Sequence, residues 1–423
     1  MCSTSLHTKK PWYFHQALLY TAMVTLGLLS GYFNIPILRP AGFIISDCFI
    51  QLFRCVSLPI ISLSLIVTLS SYRQEDNMKS LWRRTLYYTF GTTLLAASVS
   101  SLLYYLIHPQ NIHQALLSSQ TSNPLSTSSN YTSHLAHLIP ENLFSPFIEH
   151  QVMGVLFISI VIGMATRSLP DESIRLSLSQ FFKGMHSLFI IITGWIVKMI
   201  PLALFGFTTT TAAQLHEGLH FQGLGQYLAI VVFANLIQGF IILPAWLKIN
   251  GLRPYDSMKK MLPALSMAFF SKSSAGTLPI TIKTAETRLQ IPSKLTRLIL
   301  PICTSLNMNG CAAFIFATVV YVMQNHGITL SFSHSILWIF IASLAAIGNA
   351  GVPMGCFFLS ASLLSSMNVP ITLMGIILPF YSLIDMLETA LNVWSDSCVT
   401  QMVYVKSEDS ASEAIYNKLL KET

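Results

Sequence analysis

Six apolar runs of membrane-crossing length, near 12–34, 42–70, 85–108, 146–166, 185–212 and 224–249, limit most sharply what this chain can fold into. Each can span roughly 30 Å of hydrocarbon. Soluble domains carry about 25% charged residues. Here 10% of 423 residues are charged and 52% are hydrophobic, too apolar for one core in a polar coat. An ordinary cytosolic enzyme, a disordered chain and a secreted disulfide scaffold are excluded. The chain reads as an all-α polytopic membrane protein. Its first run follows Lys9 and Lys10 without a small-x-small cleavage site, and so reads as an uncleaved first helix. The cysteines, Cys48, Cys55, Cys303, Cys356 and Cys398 among them, lie in apolar company without metal-type spacing. They read as small buried apolar residues.

Beyond about 257 the pattern changes. Ser, Gly, Asn, Pro and acids interrupt the apolar stretches, which no longer divide into clean spans. Stretches 261–286 and 333–367 each read apolar, polar tip, apolar, with tips at Ser271–Pro279 and Gly348–Pro353. Non-helical backbone at membrane depth is tolerated only inside protein or beside a wet cavity. Each stretch is therefore expected to form a re-entrant helical hairpin. Two corresponding interrupted segments also mark a transport site built from inverted repeats. Between them, Pro301 and Asn307-Met308-Asn309-Gly310 break a span and free its carbonyls, hard oxygen ligands that suit alkali cations.

The net charge of +7 could suggest nucleic acid in a soluble protein, but the positions of the charges decide otherwise. Twenty-one of the 24 Lys and Arg fall at 9–10, 73–84, 167–183, 248–297 and 406–421. Arg39 stands on the opposite side, and Arg54 and Lys198 lie within spans. This positive-inside asymmetry puts both termini in the cytoplasm. It requires an even number of crossings, met by eight spans plus two hairpins. The external loop at 109–145 holds a Ser/Thr/Asn-rich stretch, Ser118–Ser133, expected to be a flexible surface loop.

The last long apolar segment contains Asp385, Glu388 and Asp396, with Asn392 between them. At about 100° per residue, these four share one helix face roughly 80° wide. A carboxylate at the bilayer centre costs about 3 kcal/mol or more, so three on one stripe must face a cation, an ammonium or water. Lys272, in the first tip, is the obvious intramembrane partner and cannot neutralise all three. The stripe reads as a cation and amino-group site; the plainer alternative is an acid–base bundle that ties helices together. The Ser-rich first tip offers hydroxyls and backbone N–H groups where half-helices meet, which suits a substrate carboxylate.

Four motifs in this order carry a resemblance: Ser271-Lys272-Ser273-Ser274-Ala275-Gly276-Thr277-Leu278-Pro279, Asn307-Met308-Asn309-Gly310, Gly348-Asn349-Ala350-Gly351-Val352-Pro353, and Asp385-x6-Asn392-x3-Asp396. With Leu58-Pro59-Ile60 and 139–147 they cover nearly the whole chain. The chain resembles the dicarboxylate/amino acid:cation symporters, relatives of the archaeal aspartate transporter and the glutamate carriers. The resemblance implies eight spans, two hairpins and a multi-pass homotrimer in the cell (inner) membrane, with a transport core that moves like an elevator. On that frame, 1–84 holds the N-terminal tail and spans 1–2, 85–184 span 3, the external loop and span 4, and 185–255 spans 5–6. Residues 256–405 form the transport core and 406–423 a cytoplasmic tail. The resemblance further implies that Asp385 binds the substrate amino group. Asn392 would hold its α-carboxylate, with Ser273, Ser274 and Val352 adding backbone groups and Lys272 and Thr389 beside them. Asp396 would ligate sodium with carbonyls of Cys303, Asn307 and Asn392. A second sodium would use Ser305, Ala346, Ile347 and Asn349, closed over by the second hairpin.

Departures from the family pattern narrow the substrate. Asn309 stands where the sodium motif has an acid, which leaves a third sodium site without its carboxylate. Glu388 stands where carriers of acidic amino acids place an arginine, and Cys311 where a side-chain-contacting threonine stands. A carboxylate at 388 repels a second substrate carboxylate. The expected function is import of a neutral or zwitterionic amino acid with Na+. Lys272 can instead pair with Glu388 and leave a neutral pocket. A proton- or sodium-coupled glutamate, aspartate or C4-dicarboxylate carrier stays open, with Glu388 carrying the proton and Lys272 clamping a carboxylate. An ion channel is the rival of another class. An enzyme is not expected, because the spans hold no Ser/His pairing and His186 lacks such a partner. The partners expected are the amino acid, sodium (or a proton) and the bilayer, with no nucleic acid and no cofactor beyond the coupling ion.

Overall fold

The computed structural model describes residues 12–70, 79–112, 140, 142–148, 152–216, 222–328, 330–347, 349, 351, 354–367 and 369–422. Lys9, Lys10, Arg73, the Ser118–Ser133 stretch and Val352 lie outside these, as do Gly348, Ala350 and Pro353 of the second tip. Among the described residues there is helix and turn but no strand.

The N-terminal region consists of α1 (Trp12–Tyr32), α2 (Leu38–Ser70), α3 (Lys79–Ile107), a single turn α4 (Ser145–Ile148), α5 (Val152–Ser168), α6 (Glu172–Lys198) and α7 (Ile200–His216). The apolar runs coincide with these helices except over 185–212. There the chain forms two helices bent by 55°, where Pro201 supplies no N–H to continue α6. α6 also begins upstream of its apolar run, because Asp171 caps it. Its Oδ1 accepts from the Ser173 amide at 2.8 Å and the Ile174 amide at 3.3 Å. These bonds, the Ser173 hydroxyl's first, hold the Asp171 carboxyl below the usual carboxylate range.

α1, α2, α5, α6 and α7 pack mainly on one another. The approach of α7 to α2 is set by small residues: a Cβ on Gly206 would stand 2.9 Å from the Gly42 carbonyl oxygen and 2.8 Å from the Ser46 amide. Close backbone approach of this kind is how helices associate where lipid removes any hydrophobic drive between them. The outward face is apolar: Phe181, Leu188, Ile191 and Trp195 of α6 are exposed, which only lipid or a partner chain tolerates on this scale.

The second region holds α3, α8 (Gln222–Ile237), a π turn (Gln238–Ile242), α9 (Leu243–Ile249), α10 (Pro254–Ser271), α11 (Ser274–Arg288), α12 (Ser293–Leu306), α13 (Asn309–Asn325), α14 (Phe332–Ile347), α15 (Gly355–Ser366) and α16 (Thr372–Glu422). α13 is its axis. Every residue of α13 except Gln324 is buried, against α3, α8, α14, α15 and α16. The tail expected at 406–423 continues α16 as helix up to Glu422.

Among the described residues, four helices are long and apolar enough to cross a membrane: Leu81–Ile107, Gly223–Ile249, Ser293–Asn325 through its break, and Thr372–Ser407. The bent α6–α7 pair makes a fifth. Shorter apolar helices, among them Thr21–Tyr32, Leu58–Ser70 and Gly154–Ser168, fill the rest. The protein is a polytopic membrane protein.

Candidate functional site

Both interrupted stretches form helix–tip–helix units. α10 ends at Lys272, which adopts the left-handed conformation (φ 54°). α11 then starts from Ser273, whose Oγ accepts from the Gly276 amide at 3.0 Å. This N-cap satisfies one of the amides that the start of a helix leaves without an intrahelical partner. α14 and α15 flank the second tip, where Gly351 (φ 63°) and Met354 (φ 64°) turn the chain. The two tips touch: the Ser273 hydroxyl donates to the Gly351 carbonyl at 3.3 Å, and the Ala275 amide does so at 3.4 Å. A Cβ on Gly351 would lie 3.1 Å from the Thr304 carbonyl oxygen and 3.3 Å from the Ala275 amide, so no larger residue fits without displacement.

Beneath the tips, the acidic stripe of α16 divides into two centres. The first surrounds Asp396, which is fully buried. α12 stops at Leu306 and α13 starts at Asn309, so Asn307 and Met308 are unwound. Asn307 Nδ2 donates to Asp396 Oδ1 at 3.0 Å and to Ser395 Oγ at 2.8 Å. The Thr304 hydroxyl donates to Asp396 Oδ2 at 3.3 Å. Asn309 Nδ2 reaches Asn307 Oδ1 and Ser395 Oγ, both at 2.8 Å. Gln238, in the π turn, donates to Asn309 Oδ1 at 2.8 Å and to the Thr92 carbonyl at 3.1 Å. A single carboxylate is thus surrounded by neutral amides and hydroxyls, a set of hard oxygen and amide groups suited to an alkali cation and without thiolate or imidazole.

The second centre lies two to three turns earlier. Asp385 Oδ2 accepts from the Met354 amide at 3.2 Å. Tyr381, 4 and 7 positions before the two acids, donates to Asp385 Oδ1 at 3.5 Å and Glu388 Oε2 at 3.2 Å. Glu388 is 1% exposed and its Oε1 has no hydrogen-bond partner. Lys272 does not pair with it. The ammonium donates to Ser382 Oγ at 2.8 Å, and it is Asp385 whose charge acts on Lys272. Glu388 therefore has no cationic partner among the described residues, and the charge of Lys272 is directed at Asp385.

The remaining expected site residues fall around these centres, with refinements. Asn392 Oδ1 accepts from the Gly310 amide at 2.9 Å and its Nδ2 points at Cys311 Sγ, at 3.4 Å. Ser274 is buried at the first tip. The Thr389 hydroxyl is turned back to the Asp385 carbonyl at 2.7 Å. The Cys303 carbonyl already accepts the Asn307 amide at 2.7 Å, and the Ala346 carbonyl the Asn349 amide at 3.0 Å. Each keeps one lone pair for an ion. Ser305 bonds its own helix at Pro301, and Ile347 ends α14 beside the second tip.

The cysteines depart from expectation. Cys48 and Cys55 are exposed on α2, while Cys303 and Cys398 are buried and unpaired. Cys311 of α13 and Cys356 of α15 are paired as a disulfide across the second centre, because the fold brings α15 onto α13 with both thiols facing Asn349. Tyr381 was legible at helical spacing from Asp385 and Glu388. Thr92 and Gln238 carried no local signal, since distant helices deliver them. One H-E-x-x-H spacing does occur, His216-Glu217-Gly218-Leu219-His220. A zinc hydrolase needs both imidazoles on one helix face; α7 ends at His216, and 217–220 lie outside the described residues.

The model of the sodium:dicarboxylate symporter family matches residues 17–405. The chain is similar to the glt-4 protein of Caenorhabditis elegans, named for sodium-dependent excitatory amino acid transport: 28% identity over 276 residues, 64% of this chain and 54% of that protein. It is similar to neutral amino acid transporter B(0) of Oryctolagus cuniculus, with 25% identity over 416 residues, 89% of this chain and 76% of the relative. The Homo sapiens counterpart is 28% identical over 265 residues, 62% of this chain and 49% of the relative. The chain spans about half the length of several of these relatives.

Proposed function

The chain belongs to the sodium:dicarboxylate symporter family, and from that premise we propose that it carries a neutral or zwitterionic amino acid across a membrane together with sodium. One observation carries this reading: α16 presents two separate buried acidic centres, one wrapped in neutral oxygen and amide ligands and one beneath two touching hairpin tips. Sodium at Asp396 neutralises that carboxylate and orders the unwound Asn307–Met308 segment. That segment leads directly into Gly310, whose amide holds Asn392. An ordered Asn392 then presents its amide to the substrate α-carboxylate, while Asp385 takes the amino group. Ion and substrate raise each other's affinity by the same factor. A half-filled site carries unsatisfied buried charge, which costs several kcal/mol, so the loaded and the empty forms move and the half-loaded form does not.

Glu388 supports the substrate class. With Lys272 turned to Ser382, nothing among the described residues offsets Glu388 against a second substrate carboxylate. The matching relatives include neutral amino acid transporters over most of this chain. By family resemblance we further assign a homotrimer in the cell (inner) membrane, both termini cytoplasmic, and elevator motion of 256–405 as two re-entrant hairpins with spans 7 and 8.

Uptake into proteoliposomes tests the substrate class. The twenty amino acids, cystine and succinate compete, with and without a sodium gradient. The proposal expects neutral amino acids to compete and uptake to collapse without sodium. Competition by glutamate or succinate alone, driven by an acid outside pH without sodium, would replace it with the proton-coupled acidic carrier. Current that does not saturate with amino acid would replace it with a channel.

A further inference from the structure

Cys311, Cys356 and Glu388 lie on three different elements, α13, α15 and α16, and their ligand atoms all lie within 4.8 Å of one another. All three residues are 1% exposed. Glu388 Oε2 is anchored by Tyr381, whereas Oε1 has no hydrogen-bond partner. Asn349 Nδ2 lies 2.8 Å from Cys311 Sγ and 3.4 Å from Cys356 Sγ, and also meets the Met308 thioether at 3.8 Å. The sulfurs of Met308, Cys311 and Cys356 thus converge on Asn349, whereas the Asp396 carboxylate is hydrogen-bonded by the Asn307 amide and the Thr304 hydroxyl. We infer that, in its dithiol form, this cluster is a site for a thiophilic d10 cation such as Zn2+ or Cd2+, distinct from the sodium centre.

The chemistry fits. Thiolates and carboxylates are both zinc ligands, with metal–sulfur bonds of about 2.3 Å and tetrahedral ligand edges near 3.8 Å. Once reduced, the two sulfurs must part to that separation, with the Glu388 oxygen within 4.8 Å of both. Hard alkali ions avoid thiolates and soft cations prefer them, so the two centres of α16 sort ions by type. Reduction must come first: a phosphine takes up oxygen from water to become its oxide, and the disulfide gains two electrons and two protons. Each thiol then releases its proton to water as the metal binds. A bound metal would tie the second hairpin, through Cys356, to α13 and α16. Taking the pocket as the amino acid site proposed above, it would lock that pocket and stop transport.

The test uses the purified full chain in detergent, reduced with a phosphine and titrated with Cd2+. The expected result is a thiolate-to-cadmium ultraviolet band that saturates at one equivalent. Cys311→Ser and Cys356→Ser should abolish it, and Glu388→Gln should weaken affinity about tenfold. Independently of any variant, Zn2+ should protect Cys311 and Cys356 of the reduced wild type from alkylation, read by peptide mass spectrometry. In proteoliposomes Zn2+ should inhibit uptake, with chelator reversing it. No band, a band that survives both serine variants, or alkylation indifferent to Zn2+ would overturn the inference. A band and protection with no amino acid uptake would overturn the transport reading and leave the metal site standing.

Discussion

The two regions of this molecule are both apolar helix bundles, yet they use polarity in opposite ways. α1, α2, α5, α6 and α7 join through glycines and threonines, turn hydroxyls such as those of Thr208 and Thr209 back onto their own helices, and turn large apolar side chains outward. The helices around α13 are buried, broken and proline-bearing, and they place three carboxylates and a lysine where water is scarce. Burial without polar groups would be easier to fold. The second region gives up regular helix at 272–273, 307–308 and the second tip, each break lying beside a buried carboxylate or its partners, whereas the sharp break of the first region, the 55° bend between α6 and α7, adjoins no carboxylate among the described residues.

The largest expected effect comes from removing the acid that has the fewest substitutes. Asp396→Ala deprives the sodium centre of its one carboxylate and should reduce sodium-driven uptake about 100-fold or more, as loss of metal-site partners does. If uptake in proteoliposomes persists, the two regions do not differ in the way described. Asp385→Asn should weaken amino acid binding by about 2–5 kcal/mol, roughly 30-fold or more, the cost of stranding one partner of a buried charge pair. Sodium binding, followed by protection of the chain against heat, should survive that change, because Asp385 and Asp396 have no hydrogen-bond partner in common among the described residues.

Stability separates the regions more gently. A Cβ at Gly310 would sit 2.7 Å from Glu388 Cα and 2.9 Å from Asn235 Oδ1, whereas one at Gly194 on α6 meets nothing within 4 Å. Gly310→Ala should cost about 1–3 kcal/mol by overpacking. Gly194→Ala should leave the thermal midpoint unchanged or raise it, since alanine favours helix by about 1 kcal/mol. Equal effects would mean that the packed core is no tighter than the frame. The smallest effect concerns the α6 cap. Because the Asp171 carboxyl is held below its usual range in the folded chain, its contribution is complete at neutral pH and fades only as pH falls through that lowered value. Asp171→Ala should slightly lower the thermal midpoint at pH 7 and remove this part of the acid sensitivity.

Much of the first region was legible because an apolar run needs no partner to be recognised as a helix. The 55° bend at Met199–Pro201 was missed inside an otherwise continuous run. In the second region, the local signals of Ser273, Asn307 and Gly351 gave the two tips and the break, since Ser, Asn and Gly have their own turn chemistry. The stripe from Asp385 to Asp396 was legible from helical period alone. Its division between Asp385 and Asp396 came from the family resemblance and not from helical period, and the groups that close each centre were missed, because Thr92 and Gln238 on one side and Met354 and Cys356 on the other are delivered by tertiary packing. The Cys311–Cys356 pairing has the same origin: 45 positions separate the two residues.

The central claim is that an ion at Asp396 and an amino acid at Asp385 stabilise each other through the unwound Asn307–Gly310 segment. Calorimetric titration of the purified chain, with the amino acid that wins the uptake competition, measures this directly across sodium concentrations. The account predicts that affinity rises about tenfold per tenfold rise in sodium for each coupled ion, and that Asp396→Asn flattens this dependence. Affinity that is the same with and without sodium in the wild type would contradict it.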